Sequence, residues 1–480
     1  MYTKDNHYDV AIIGCGPAGI FTAYKLITEN PKLNIAVIDK GKHIIKRKCP
    51  MRDNPNLSCV NCNPCNIMSG FGGAGTFSDC KLSLTPFGVG GDIVEYVGDE
   101  KAVNLIQEVD NIYASFDKDA DKRVIVGTSD NENITKIKEL CSRSNLKYTE
   151  CPTKHLGTDG TYDVMIEMQR YLEDKNVKFY FNTEVEVEKD VINNKFKIST
   201  LVKYNISKES LLESITADYV VMAPGRSGNS WLARTAQDLN LTLLSNKVDV
   251  GVRVETSAEI MQFLTDNLYD VKLSYENTST GDKVRTFCTN PKGFVSEEHY
   301  GKWAVVNGHS FADKKSNNTN FALLVTLNDD SLNLEYTKRI VEQANQISKG
   351  KLILQNCCDF MACKATKSYD EYKESKTDPT LKTAMLGDLN LVLPARVTEM
   401  IKTMIIQMNK QVAKYIRWSD TWLYGIEAKF YSNRLQLSNT FETEIPNLYG
   451  IGDGVGVTRG ITQAASSGLV VAKDILNKVK

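Results

Sequence analysis

Apolar and polar positions near the start of the chain follow two different periods. Tyr8 to Ile13 is a short apolar run typical of a buried strand. Between Ala18 and Thr28 the apolar residues recur at helical spacing, and the apolar run 34–38 then ends at Asp39. This order of strand, glycine turn, helix and strand predicts a βαβ unit with a parallel strand pair.

The middle of the chain changes character several times. Residues 46–92 show little periodicity, and a loop of that length is more often functional than idle. Residues 164–176 read as a helix and 177–225 mostly as strands. From about 246 to 365 the pattern consists of short β-rich segments with a helix near 334–348.

The end of the chain returns to the pattern of its beginning. Residues 396–418 show a long helical repeat, and the last forty residues give a strand, a glycine turn and a closing helix. We therefore predict the α/β class, with a Rossmann-type dinucleotide-binding domain interrupted by a β-rich mixed substrate domain. The predicted boundaries are 1–245, which includes a cysteine-rich loop at 46–80, then 246–365 for the inserted domain, and 366–480.

Composition narrows the function classes. The 480 residues suffice for two or three domains, and 58 basic against 59 acidic residues give a net charge of −1. Neither a nucleic acid nor an anionic membrane is expected as a partner. The first residues lack the build of a signal peptide and no apolar run approaches a membrane span, so we expect a cytoplasmic protein.

The glycines after the first predicted strand match a dinucleotide-binding turn. Gly14, Gly16 and Gly19 satisfy G-x-G-x-x-G between strand and helix. They permit the tight turn, close approach of a pyrophosphate, and close packing of helix on strand, in that order. Asp39 follows 20 residues after Gly19, where a carboxylate can bind ribose hydroxyls. The alternative is a glycine-rich turn with no ligand.

Two more segments extend the match beyond this turn. Together with GCGPAG, the strings VVMAPG (220–225) and NLYGIGDG (447–454) resemble the three signatures of the two-dinucleotide-fold flavoprotein superfamily. That resemblance implies bound FAD, with Asp453 on the ribityl chain and Gly460 to Thr462 starting a helix under the flavin pyrimidine. A positive helix end there would stabilise negative charge on the reduced ring.

A closer resemblance runs nearly end to end. It is to a family of largely uncharacterised bacterial FAD-dependent dehydrogenases, and it rests on GFGGAGTFSD (70–79), HLGTDG (155–160), VGVRVE (250–255), VRTFC (284–288), VNGHS (306–310), TNFALLV (319–325) and GDGVGVTRGITQAA (452–465). The residues expected to bind FAD are Gly14, Gly16, Ala18, Gly19, Asp39, Lys40, Gly73, Ser78, Asp79, Val185, Gly225, Gly452, Asp453, Arg459, Gly460, Ile461 and Thr462.

Four of the twelve cysteines cluster before the second glycine-rich run. Cys49, Cys59, Cys62 and Cys65 have the spacing C-x9-C-x2-C-x2-C. In a cytoplasmic chain such thiols more often bind metal than form disulfides. Four thiolates suit a [4Fe–4S] cluster, with tetrahedral zinc as the main alternative and a metal-free loop as the other.

Candidate proton-transfer groups are few. His155 and His309 lie within the resembling strings, and histidine titrates near neutral pH. Lys429, Arg253 and Arg459 are candidates for binding an anionic substrate or the reduced flavin. For each of these side chains a purely structural role is the alternative.

The expected function is FAD-dependent reduction or dehydrogenation of a small organic molecule by hydride transfer. A second G-x-G-x-x-G unit of matching context is missing, so NAD(P)H is expected only as a transient donor. Ferredoxin is a possible redox partner if the loop carries a cluster. The alternatives are a redox sensor or electron-transfer module without turnover, and a flavin-assisted cofactor- or RNA-modifying enzyme.

Overall fold

The chain forms two compact units. The first comprises residues 1–125, 152–244 and 432–480, and the second comprises 126–151 and 245–431. The structure is a computed structural model that describes residues 7–49, 62–77, 80–88, 91–128, 132–203, 214–245, 248–268, 270–300, 303–309, 314–329, 331–413, 417–429 and 433–479.

Helices and strands alternate in the first unit, while strands dominate the second. The helices are α1 (Pro17–Glu29), α2 (Ile93–Val97), α3 (Asp99–Phe116), α4 (Glu132–Arg143), α5 (Gly157–Asp174), α6 (Asn229–Asp238), α7 (Ala258–Thr265), α8 (Leu334–Ile347), α9 (Cys357–Met361), α10 (Ala395–Gln411) and α11 (Ile461–Lys478). The strands are β1 (His7–Ile13), β2 (Ile35–Ile38), β3 (Lys81–Ser83), β4 (Ile125–Val126), β5 (Lys147–Tyr148), β6 (Thr153–His155), β7 (Lys178–Tyr180), β8 (Thr183–Asp190), β9 (Lys195–Lys203), β10 (Ser214–Met222), β11 (Leu243–Ser245), β12 (Asp249–Ser257), β13 (Leu273–Glu276), β14 (Lys283–Asn290), β15 (Phe294–Tyr300), β16 (Trp303–His309), β17 (Asn318–Thr326), β18 (Ile353–Asn356), β19 (Met385–Leu386), β20 (Trp422–Lys429), β21 (Asn433–Leu435) and β22 (Leu448–Gly450). Among the described residues, no helix is long and apolar enough to cross a membrane.

The sheet of the first unit has a parallel centre and an antiparallel edge. Its strands run in the order β7-β2-β1-β10-β9-β8, and β22 also pairs with β10. The pairs β7-β2, β2-β1, β1-β10 and β10-β22 are parallel, whereas β9 and β8 join antiparallel. All four positions of β2 are buried, as expected for a central strand of a parallel sheet. The predicted Rossmann-type βαβ unit and the α/β class are therefore present.

The carboxyl ends of the central strands meet at one edge of this sheet. Ile13 pairs with Ile38 on one side and with Met222 on the other, and Met222 pairs in turn with Gly450. Residues that follow these strands therefore converge, and ligands of open α/β sheets bind at such an edge.

The second unit is built on a sheet of order β19-β18-β20-β12-β17-β14-β13-β5. Its pairs are antiparallel except β18-β19. The apolar stripe of α10, which includes Met400, Met404 and Met408, is buried in the core of this unit. The stripe therefore serves core packing.

The second unit extends beyond the predicted limits 246–365. The chain enters it once at 126–151 and then occupies it from 245 to 431. Strand β20 pairs with β12 over most of its length, and α10 belongs to the same core, so 366–431 cannot be part of the first unit. Helix α10 ends at Gln411, earlier than the predicted end at 418.

Candidate functional site

The turn after β1 needs glycine because the backbone passes very close to its neighbours. Gly14 has φ +110°, and a Cβ there would lie 2.0 Å from the carbonyl oxygen of Ala223 at the end of β10. A Cβ on Gly19 would lie 2.0 Å from the carbonyl oxygen of Gly14. These contacts correspond to the turn and packing roles that the sequence pattern predicts.

Helix α1 presents free amide groups at this turn. Its N-cap is Gly16, whose side chain cannot cap the helix, and its first turn holds Pro17 and no acidic residue. The first amide groups of a helix lack internal partners, and together with the helix dipole they favour an anion. A pyrophosphate is the anion that such a turn accommodates.

Asp39 is held beside the same turn. Its Oδ2 accepts a hydrogen bond from the Cys15 amide at 2.8 Å, and its Oδ1 accepts one from the Gly41 amide at 2.7 Å. The carboxylate is half-buried and retains acceptor capacity for hydroxyl groups. Lys40 next to it reaches the carbonyl of Ser227 at 3.3 Å.

Two further glycine segments approach the turn within the first unit. A Cβ on Gly73 would lie 3.1 Å from the Cα of Gly16. A Cβ on Gly452 would likewise lie 3.1 Å from the Cβ of Ala18. The structure therefore brings together segments that are far apart in the sequence.

Gly225 lies against the loop that follows β22. A Cβ on Gly454 would lie 2.3 Å from the carbonyl oxygen of Gly225. Val185 lies farther along the sheet, at a register irregularity of β8, and its carbonyl accepts a bond from Trp231 Nε1 at 2.5 Å. Its contact with a cofactor remains a prediction.

Asp453 is tied to the start of α11. Its Oδ1 accepts a hydrogen bond from Thr458 Oγ1 at 2.8 Å, and its Oδ2 accepts one from the Gly460 amide at 3.2 Å. The Nε of Arg226 lies 3.7 Å from Oδ2, and this arginine is mostly exposed. The sequence analysis identified Asp453 but assigned no role to Thr458, which lies in the same resembling string, or to Arg226, which follows the string VVMAPG.

The start of α11 resembles that of α1. Gly460 is its N-cap at φ +89°, without a side-chain cap, and the first turn contains no acidic residue. Ile461 and Thr462 form that turn, and the amide of Arg459 just before it donates to Gln463 Oε1 at 3.2 Å. A second uncapped helix start therefore belongs to the first unit.

His155 ends β6, which is paired with β3 in a small sheet of order β3-β6-β4, and β3 contacts α11. In this sheet β3 pairs with β6, so that Lys81 lies opposite His155. The hydroxyl of Thr462 donates to the carbonyl oxygen of Ser83 at the other end of β3, at 3.0 Å. The half-buried His155 therefore lies on a strand whose neighbour, β3, is bonded to the first turn of α11.

Part of the predicted metal site lies outside the described residues. This applies to Cys59, and also to the predicted cofactor residues Ser78 and Asp79. Cys49 and Cys62 are half-buried and Cys65 is exposed. Within the described ranges, no group of three or more histidine, cysteine or acidic side chains is arranged to hold a metal ion.

The other predicted catalytic residues lie in the second unit. His309 ends β16, and burial, followed by the charge of Arg253, lowers its pKa from the ordinary 6.5. Lys429 ends β20, where it pairs with Asp249. Their catalytic roles remain predictions.

Arg253 is not available to an anionic substrate, contrary to expectation. Its side chain is fully buried and bonds Glu427 through Nε at 2.7 Å and Nη2 at 2.6 Å. The third nitrogen bonds Asn320 Oδ1 at 3.0 Å. The arginine therefore serves the core of the second unit, a role that its place in an alternating strand pattern does not reveal.

Comparisons with known proteins agree with this division. Residues 247–430 match the family described as FAD-dependent protein, C-terminal domain-like. A protein of Clostridium beijerinckii, described as uncharacterized, is 25% identical over 492 residues, which cover 97% of this chain and 80% of the relative.

Two solved structures span nearly the whole chain. Glycine oxidase from Geobacillus kaustophilus has a TM-score of 0.36 and 12% identity, covering 98% of this chain and 95% of its own. A flavoprotein/dehydrogenase from Cytophaga hutchinsonii has a TM-score of 0.40 and 11% identity, covering 98% and 78%. The family match accounts for the second unit, and the glycine turn with its parallel sheet supplies the dinucleotide-binding geometry of the first. Residues 247–430 therefore carry a domain similar to the family described as FAD-dependent protein, C-terminal domain-like.

Proposed function

We propose that this protein is an FAD-dependent oxidoreductase, which binds FAD along the carboxyl edge of the first unit's sheet and reduces or dehydrogenates a small organic molecule. The observation that carries the proposal is the pair of uncapped helix starts at Gly16 and Gly460, each with an aspartate close by in the same unit. FAD requires both features, because its pyrophosphate is anionic and its two sugar chains carry hydroxyl groups.

The residues of the first unit fit the cofactor. The start of α1 would hold the pyrophosphate, Asp39 the ribose and Asp453 the ribityl chain. The amides at Ile461 and Thr462 would lie under the flavin pyrimidine, where the positive end of α11 stabilises negative charge. When bound, FAD supplies hydride transfer to or from a substrate carbon.

His155 is our candidate for the proton that accompanies the hydride. It is half-buried, and the neighbouring strand β3 is bonded to the first turn of α11 through Thr462. An imidazole can accept a proton as a substrate is oxidised or donate one as it is reduced. His309 and Lys429 are kept as further candidates that act on the substrate.

Reduced ferredoxin or NAD(P)H would supply the electrons for reduction, and an oxidised ferredoxin or NAD(P)⁺ would accept them after dehydrogenation. A [4Fe–4S] cluster on Cys49, Cys59, Cys62 and Cys65 would favour single-electron partners such as ferredoxin. Iron and acid-labile sulfide measured per FAD, in protein purified without oxygen, test this part. Unchanged metal content after Cys62→Ser would contradict a cluster on these cysteines.

The experiment for the main proposal is an anaerobic screen of the FAD-loaded protein. NAD(P)H and reduced ferredoxin are offered as donors, with simple enoates and ketones as acceptors, and the flavin absorption is followed. We expect a donor to bleach the flavin and an acceptor to restore its colour. Retained FAD with no response to any pair would favour the alternative of an electron-transfer or sensing module.

A matched pair of variants tests the role of His155. We expect His155→Gln to lower kcat by about 100-fold, the usual contribution of a general acid or base, with FAD content unchanged. His7→Gln is the control, because His7 bonds Thr216 and Asp218 on β10 at the opposite end of the strands from the glycine turn. Equal activity of the two variants would contradict the role of His155.

A further inference from the structure

Arg47 is a buried cation whose hydrogen bonds to described residues all go to one short segment. Its side chain is 2% exposed. Within the described ranges its hydrogen bonds go to neutral oxygens, which are the carbonyls of Asn66 at 2.9 Å, Ile67 at 2.6 Å, Phe71 at 2.5 Å and Gly73 at 2.9 Å, and the hydroxyl of Thr76 at 3.2 Å. One side chain thereby determines the path of the backbone from 66 to 76.

The charge of Arg47 has no anionic contact within the described ranges, where its hydrogen-bond partners are uncharged. Burial lowers its pKa to about 10, with Asp39 acting in the opposite direction, so the group remains charged at neutral pH. A buried charge bonded to neutral groups alone is costly. An anion bound nearby would offset this cost.

The segment that Arg47 holds lies against the dinucleotide turn. The Gly72 amide donates to the carbonyl of Cys15 at 2.8 Å, and Gly73 lies against Gly16 as described above. Gly16 is the residue that caps α1, where the pyrophosphate is expected. The guanidinium is therefore separated from that place by the single backbone layer of Gly73.

The other end of the segment carries a thiol of the cysteine loop. The carbonyl of Cys65 accepts bonds from the Met68 amide at 3.2 Å and the Ser69 amide at 3.0 Å. Cys65 is followed directly by Asn66, whose carbonyl accepts a hydrogen bond from Arg47, so Arg47 connects the end of the cysteine segment with Gly73 at the cofactor turn.

We propose that Arg47 is a positioning residue that links FAD binding to the conformation of the cysteine segment 62–73. FAD bound at Gly16 restrains Gly73 and adds negative charge near the guanidinium, and the guanidinium passes this restraint to Asn66 and Ile67. Because linkage is reciprocal, the ordering of this segment strengthens FAD binding by the same factor. The inference rests on the proposed FAD site.

The test is hydrogen exchange of the full-length protein, measured by mass spectrometry with and without saturating FAD. We expect FAD to slow exchange across 62–73 by about tenfold or more in the wild type. In Arg47→Met we expect FAD to leave the exchange of this segment unchanged, although FAD still binds. The control is Arg123→Met, which removes a mostly buried arginine of the same unit that bonds Asp117. This variant should retain the slowing.

The outcomes separate this inference from the proposed function. FAD binding without slower exchange at 62–73 in the wild type, or full slowing in Arg47→Met, would overturn the inference alone. Failure of the wild type to bind FAD would overturn the proposed function and the inference with it. If Arg47→Met does not fold, the same exchange measurement is made on Arg47→Lys. One ammonium cannot reach four carbonyls, so less slowing than in the wild type supports the linkage and equal slowing overturns it.

Discussion

Substitution of Gly14 by alanine tests the dinucleotide turn most sharply. At φ +110° an L-residue is strained, at a cost of about 1–2 kcal/mol by analogy with the left-handed helical region. The added Cβ would also lie 2.0 Å from the carbonyl oxygen of Ala223, so β1 and β10 must separate where they end. Overpacking of this kind costs about 1–3 kcal/mol.

The variant Gly98→Ala separates the cost of backbone strain from the cost of the steric clash. Gly98 has φ +80°, so alanine is strained there as well, but a Cβ would meet nothing within 4 Å. Only Gly14→Ala combines strain with a clash, and it alone lies at the cofactor turn. The clash raises the free energy of the turn conformation that binds FAD. Because each 1.4 kcal/mol of binding free energy changes the affinity tenfold, we expect FAD to bind at least about tenfold more weakly.

The assay is a titration of each apoprotein with FAD, followed by flavin fluorescence, together with thermal unfolding. Gly98→Ala should bind FAD like the wild type and unfold at a slightly lower temperature. Gly14→Ala should bind FAD more weakly than the wild type and should unfold at a lower temperature than Gly98→Ala. Wild-type FAD affinity in folded Gly14→Ala would refute the geometry of the turn.

Three further predictions concern the second unit. Glu427→Gln leaves the buried charge of Arg253 uncompensated, so the free energy of unfolding should fall by about 3–5 kcal/mol, as measured with urea; a loss under 1 kcal/mol would contradict the buried pair. Because the pKa of His309 is lowered in the folded state, the unfolded state binds more protons below about pH 6.5, and the protein should lose stability as pH falls from there. His309→Gln should remove that part of the slope, and an unchanged slope would count against the lowered pKa. Cys363 is exposed whereas Cys357 is buried with a raised pKa, so iodoacetamide should modify Cys363 first in the native protein, as read by mass spectrometry. Equal rates would show that the region opens readily.

The βαβ unit was predictable because local signals there agree with tertiary packing. Each glycine of the turn has a steric reason to be glycine, and β2 is apolar because both faces of a parallel strand are buried. The second unit's boundary was not predictable in the same way. Its sheet recruits β20 from beyond α10 through antiparallel pairing with β12, and pairing between distant strands leaves no local pattern.

The residues of the candidate site also fall into some that the sequence predicts and some that it does not. Asp39 and Asp453 follow buried strands at fixed distances from glycines, so their positions could be inferred from the sequence. The role of Arg47 could not, because it stands in a run of basic residues that resembles a solvated surface, yet its side chain is buried. For Arg253 the error runs the other way. The sequence suggested that it contacts a substrate, whereas its side chain is fully buried and paired with Glu427.

The most direct test of the central claim is the amount of FAD bound per folded chain after purification and reconstitution. We expect stoichiometric FAD in the wild type, and much less in Asp39→Ala, because that carboxylate is bonded to the dinucleotide turn. A folded wild-type protein that retains no FAD, or an Asp39→Ala variant that binds it equally well, would contradict the account.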